Sequence, residues 1–231
     1  MNKEIKIIKD GEDYQVIYKP VFMLSEDVSS FICHRLDFET SGLLLAAKNE
    51  KALEFYQRQF KKREIKKKYW ALVLGQFPEK EQIVEGFLAR DKNKPFRFES
   101  AVAIKSEGNL DHRSFQIFGK KARWSKTKFH ILQTKKIKIF KEKKYQDYNY
   151  ISLVEATPLT GRRHQLRIHL NHLGYPILGD KTYNTKLSRK AAKNLQIPHL
   201  QLFAVYLSFI DSAENQIEVE NKPDLEIINK D

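Results

Sequence analysis

The apolar residues of this chain come in short runs. Residues 43–47, 69–74 and 203–207 are among the longest, and all fall far short of the roughly 20 residues a membrane-spanning helix needs. Short apolar runs bounded by turn-forming residues are the pattern of buried strands. Residues 13–19 alternate enough to predict a strand, which Pro20 ends. Residues 42–47 predict a buried strand, and 69–74 another that Gly75 closes. Residues 126–132 and 150–156 read as two more, and 203–210 with 216–220 as a late hairpin. Helices are few. Asn49 can cap one running to about residue 63, with Leu53, Tyr56 and Phe60 on one face. Residues 164–173 read as a second, stopped by Gly174 and Pro176. This balance predicts an α+β fold dominated by strands.

Nine glycines in 231 residues remove several nucleotide-binding folds. None are close enough to make a G-x-G. Gly174 and Gly179 have the outer spacing of a phosphate loop, but Asp180 stands where the lysine must be. Cys33 is the only cysteine, so an internal disulfide and a cysteine zinc site are excluded, and it reads as a small buried side chain. The first residues show no secretory h-region, so the cytoplasm is the expected location.

Charge points to a class of partner. The chain carries +13. Residues 211–231 hold seven acids and two bases, a net of −5, so residues 1–210 carry +18. A globular body this basic suits a polyanion, above all nucleic acid. Residues 61–68 contain six basic side chains, and residues 119–146 contain eleven Lys or Arg against one Glu. Trp124, Phe129, Phe140 and Tyr145 are interleaved with the second set. Rings there could stack on bases; equally, they could form the core side of a hairpin whose outer face is lysine.

Two polar stretches sit in apolar surroundings. HRLDFETSG at 34–42 leads straight into Leu43-Leu44-Leu45, which puts polar side chains at a strand end. TGRRHQLRIH at 160–169 gathers two histidines, a glutamine and three arginines near a helix start, which suits phosphate and base contacts. Neither fits a kinase loop, a zinc protease or a serine-hydrolase elbow, and no metal site is expected.

Together HRLDFETSGLLL at 34–45, KKKYWALVLG at 66–75 and TGRRHQLRIHLNHLGYPILGD at 160–180 resemble the RluA/RluD-type RNA pseudouridine synthases. The weaker Tyr18-Lys19-Pro20 and Gly119-Lys120 elements follow in the same order, and the match spans roughly 13–210. The resemblance implies an α+β catalytic fold: a mixed, largely antiparallel sheet core flanked by helices, with a central active-site cleft. It implies a single catalytic domain over 1–231, with no separate N-terminal RNA-binding domain. The implied activity is isomerisation of uridine to pseudouridine in structured RNA, ribosomal or transfer RNA, with the target base flipped into the cleft. The partner is RNA, not DNA or a membrane, and a monomer is the default. The reaction involves no net redox and no group donor, so no cofactor is expected.

By motif position the catalytic aspartate is Asp37, the active-site tyrosine Tyr69, and the arginine partner of the aspartate Arg167. A guanidinium there would keep the carboxylate ionised in a closed site. The implied RNA contacts are His34, Arg35, Lys67, Arg162, Arg163, His164 and Gln165. The sequence also departs from the family. Residues 21–33 contain neither Pro nor Gly, where a stretch rich in both is usual, and Arg163 takes a place often held by threonine or serine. The lysine-rich segment 119–146 is expected to act as an RNA-contacting arm.

Overall fold

The computed structural model describes residues 4–90, 98–101 and 122–229. The Gly119-Lys120 element and the first residues of the basic segment lie outside them. The chain forms two compact units, residues 1–70 with 201–231, and residues 71–200.

In the first unit, β1 (Lys6–Asp10), β2 (Tyr14–Lys19) and β3 (Ser41–Ala47) are neighbours in that order, followed by β9 (Leu202–Ile210). β2 and β3 pair antiparallel from Tyr14 opposite Ala47 to Lys19 opposite Gly42. β3 meets β9 in parallel only at Ser41 and Gly42. β9 returns through a tight turn into β10 (Gln216–Glu220), the expected hairpin. All seven residues of β3 are buried, which is why it reads as a continuous apolar run rather than an alternation.

Gly42 makes the β3–β9 approach possible. Its φ is +116°, and a Cβ there would collide with the backbone of Ala204. Helix α1 (Glu50–Lys62) starts where Asn49 accepts a hydrogen bond from the Ala52 N–H, and ends at Arg63 in a left-handed conformation. Its Tyr56 is fully buried and meets Phe209 edge-on at 5.6 Å, while Tyr14 meets Phe209 at 5.0 Å.

Strand β4 (Lys66–Leu74) begins in the first unit and ends in the second. The second unit continues with β5 (Gln82–Arg90), β6 (Phe98–Ala101), β7 (Arg123–Lys136) and β8 (Tyr150–Pro158), ordered β4-β8-β7-β5-β6. β7 pairs antiparallel with both β5 and β8, with an irregularity between Ile131 and Gln133. Helices α2 (Gln165–His172) and α3 (Lys186–Asn194) complete it. The architecture is α+β, with a mixed and largely antiparallel pairing and few helices, as expected. Among the described residues no helix is long and apolar enough to cross a membrane.

The basic segment divides in two. β7 is longer than its sequence pattern predicts, and its Phe129 is fully buried; Phe140 beyond it is 3% exposed. These two rings belong to the core and offer no face to a base. Lys126 and Lys128 lie against Glu85 and Glu81 at 2.8 and 3.9 Å.

Candidate active site

The turn carrying Asp37 is held from three sides. Leu36 donates its N–H to Ser25 Oγ at 2.9 Å, and the same hydroxyl donates back to Leu36 O at 3.2 Å. Phe22 N–H donates to Phe38 O, and Thr40 N–H to Asp37 O. The third support is Lys19. Its side chain is wholly buried, and its ammonium donates to Pro20 O and Met23 O at 2.9 Å each and to Phe38 O at 3.5 Å. Burial lowers Lys19 to about 8; the negative charge of Asp37 acts in the opposite direction. Asp37 is half-buried.

Tyr69, on β4, is 8% exposed. Burial, and then the charge of Asp37, push its hydroxyl well above the ordinary range, so Tyr69 stays neutral. The charge of Asp37 thus reaches both Lys19 and Tyr69 within the first unit.

His34 and Lys67 are placed beside the turn. His34 Nε2 accepts from the Leu45 N–H at 3.1 Å, so the neutral ring carries its proton on Nδ1. Burial, then the charge of Lys67, lower its pKa to about 3. The His34 ring lies 4.6 Å from that of Phe60, and the Lys67 ammonium is 5.4 Å from the same ring. Burial lowers the pKa of Lys67. Arg35 is different: it is exposed and pairs with an exposed Glu26 at 3.1 Å, a surface contact worth little.

In the second unit the 160–169 motif is organised by Gln165. This residue is 3% exposed. Its amide donates to Lys126 O and Thr127 Oγ1, and its oxygen accepts from Thr160 Oγ1 and the Arg162 N–H. Those four bonds use the amide's full capacity. Gln165 therefore fixes the loop around the motif. Arg162 donates Nε–H to Trp124 O at 2.8 Å, Arg163 is exposed, and His164 Nδ1 lies 3.0 Å from the Tyr183 hydroxyl. Behind the loop, buried His169 touches Ser125 Oγ and Thr127 Oγ1 at 3.0 and 2.9 Å. Burial lowers it to about 4, so it is neutral.

Arg167 is 3% exposed and gripped by Asp180, which the sequence reading missed. Nε and Nη2 donate to Oδ2 and Oδ1, both at 2.7 Å, a bidentate pair. Oδ1 also accepts from the N–H groups of Thr182 and Tyr183. Burial alone would raise the Asp180 carboxyl. The hydrogen bond and charge of Arg167, with the two backbone donors, outweigh it and hold the carboxyl below its ordinary value. The Tyr183 ring lies 5.3 Å from the guanidinium carbon. Asp180 follows Gly179, where a Cβ would collide with His199 O, so the backbone entering this position is tightly packed. Among the described residues no group of three acid, His or Cys side chains could hold a metal.

Comparison with known proteins agrees with the motif resemblance. The RNA pseudouridylate synthase family matches residues 25–172. A ribosomal large subunit pseudouridine synthase C of Vibrio cholerae is 30% identical over 189 residues, 81% of this chain and 50% of that protein. The mitochondrial tRNA pseudouridine(32) synthase of Saccharomyces cerevisiae is 33% identical over 202 residues, 79% of this chain and 38% of that protein. The chain thus spans about half the length, or less, of these curated relatives. Among solved structures, human RNA pseudouridylate synthase domain containing 1 superposes with a TM-score of 0.74 at 26% identity, covering 98% of this chain and 86% of that one. The matched stretch contains Asp37, Tyr69 and Arg167, and the chain belongs to the RNA pseudouridylate synthase family, in its RluA/RluD-type branch.

Proposed function

We propose that this chain isomerises uridine to pseudouridine in structured RNA, with Asp37 as the catalytic carboxylate. The observation that carries the reading is the Asp37 turn: an acid on a backbone locked by Ser25 and Lys19, electrostatically coupled to a buried, neutral tyrosine. The reaction breaks the bond between uracil N1 and ribose C1′, turns the base, and joins C5 to C1′. The proton lost from C5 balances the one gained at N1, so no oxidant or donor is consumed. Asp37 acts on the ribose, as nucleophile at C1′ or as base at C2′. Tyr69 packs its ring on the uracil, and its hydroxyl, protonated at neutral pH, is a donor to the turning base.

In this reading Arg167 is the residue that the motif correspondence assigns as the arginine partner of the catalytic aspartate. The Asp180 grip sets the plane of its guanidinium. The target base leaves its stack to enter a basic cleft, with Arg35, Arg162, Arg163, His164 and Lys67 serving the backbone around it. His34, tied to Leu45, contributes mainly by fixing the strand end. Relatives named for large-subunit ribosomal RNA and for transfer RNA make these the two substrate classes to test.

The test is tritium release from RNA containing 5-tritiated uridine. Asp37→Asn should abolish release while RNA affinity stays within a few-fold. Substantial residual turnover would remove Asp37 from the role, and intact RNA binding with no release by the wild-type chain would leave a binding protein.

A further inference from the structure

Helix α3 carries a charge pattern that the site does not use. Lys186, Arg189, Lys190 and Lys193 fall at i, i+3, i+4 and i+7, and all four are exposed. The other face of the helix buries Ser188, Ala191 and Ala192. The helix has no acidic residue. Among the described residues, Lys186, Arg189 and Lys193 have no acidic partner.

The helix is docked on the far half of the basic segment. Asn194 donates to Ile139 O at 2.9 Å. Lys190 reaches Glu142 at 2.8 Å and lies 5.6 and 5.9 Å from the rings of Phe140 and Tyr145. Lys190 is thus a pin, and it occupies the one acid between residues 135 and 146. The segment that carries Glu142 and Phe140 also bears the exposed Lys136, Lys138, Lys141 and Lys143. Two stretches separated by some forty residues therefore merge into one cationic face.

We infer that α3 and residues 136–143 form a docking surface for the phosphate backbone of an RNA duplex, outside the reacting nucleotide. The inference rests on the reading of RNA as substrate. Three observations favour a duplex. The basic stripe on α3 runs about 10 Å along the helix axis, enough to track a backbone instead of a single phosphate. Within residues 136–143 and α3 the single aromatic ring is Phe140, which is buried, and the neighbouring Tyr145 packs on it at 5.6 Å beneath Lys190. What remains is a set of cations that read phosphate and shape, which is how paired RNA is recognised. An anionic membrane fits less well, because the exposed face of α3 lacks the large apolar side chains that enter a bilayer surface.

The probe is a fluorescein-labelled 16-base-pair RNA duplex, followed by anisotropy from 50 to 300 mM KCl. In the full chain, K186E/R189E/K193E should weaken duplex binding at least ten-fold at 100 mM. It should also flatten the slope of log affinity against log salt by about 2–3, near 0.9 for each phosphate that is no longer neutralised. A matched control, K6E/K9E/K51E, changes charge equally at exposed lysines elsewhere and should shift the slope by less than 1. Tritium release on structured RNA should show a raised KM with kcat retained. An unchanged slope would overturn the proposal. So would an equal effect in the control, or loss of binding to vesicles of 30% phosphatidylserine with duplex affinity intact. Absence of tritium release by the wild-type chain alongside the expected slope change would refute the enzymatic reading and leave the docking surface standing.

Discussion

Replacing Asp180 with Asn tests the clamp on Arg167. The substitution keeps the shape and the oxygen that accepts from Thr182 and Tyr183, but puts an N–H donor where Oδ2 accepted from Arg167 Nε. Two donors then face each other, and the guanidinium loses its counter-charge at a position 3% exposed. Breaking a buried pair by removing one charge costs about 3–5 kcal/mol. At roughly 2–4 °C per kcal/mol for a chain of this size, Asp180→Asn should lower Tm by about 6–20 °C. The pH dependence gives a second handle. The folded carboxyl titrates below its ordinary value of 3.8, so its stabilisation is full above that value and disappears as pH falls through the folded one. The gap between wild type and variant should be constant from pH 7 to 5 and narrow in more acid solution. The assays are urea unfolding across pH and tritium release, in which kcat should fall with RNA affinity retained. A variant within 1 kcal/mol of wild type at pH 7, with parallel stability profiles down to pH 3, would refute the reasoning.

Two further outcomes follow from the Asp37 turn. Gly42→Ala forces a side chain to φ +116° against the Ala204 backbone, and should cost about 3 kcal/mol or more in urea unfolding, separating β3 from β9 where the motif ends. Lys19→Met removes the ammonium from its carbonyls. Because burial lowers Lys19 in the folded chain to about 8 from 10.5, the wild type should gain stability as pH rises between those values, and the variant should lack that rise. Thermal melts from pH 7 to 10.5 on both proteins decide it.

What was legible in the sequence is what obeys a period. β3 was visible because every residue in it is buried, and α1 because Asn49 and the Leu53–Tyr56–Phe60 spacing mark start and face. β1 was not, since all five of its residues are exposed and no alternation survives on an edge strand. β5 is broken in sequence by Gly86. α3 escaped because its capping box runs from Thr185 to Ser188, not to the usual acid, and its buried face is little more than two alanines. The motif aspartate, tyrosine and arginine were found by resemblance, yet two groups that hold the site were not. A lysine reads as surface, so nothing local announced that Lys19 is wholly buried. The Arg167–Asp180 pair joins a helix to a turn thirteen residues on, beyond any local spacing rule.

The burial of Lys19 also governs how the Asp37 turn becomes ordered. An ammonium leaves water only when replacement acceptors are in place, and those come from Pro20, Met23 and Phe38, two of them close by and one nineteen residues away. A half-built cage would strand a bare cation in apolar surroundings. The turn is therefore cooperative: it is closed with all of its carbonyls satisfied or it is open, and partly ordered forms are the most costly. Asp37 would then be presented in one geometry or withdrawn altogether, with little population in between.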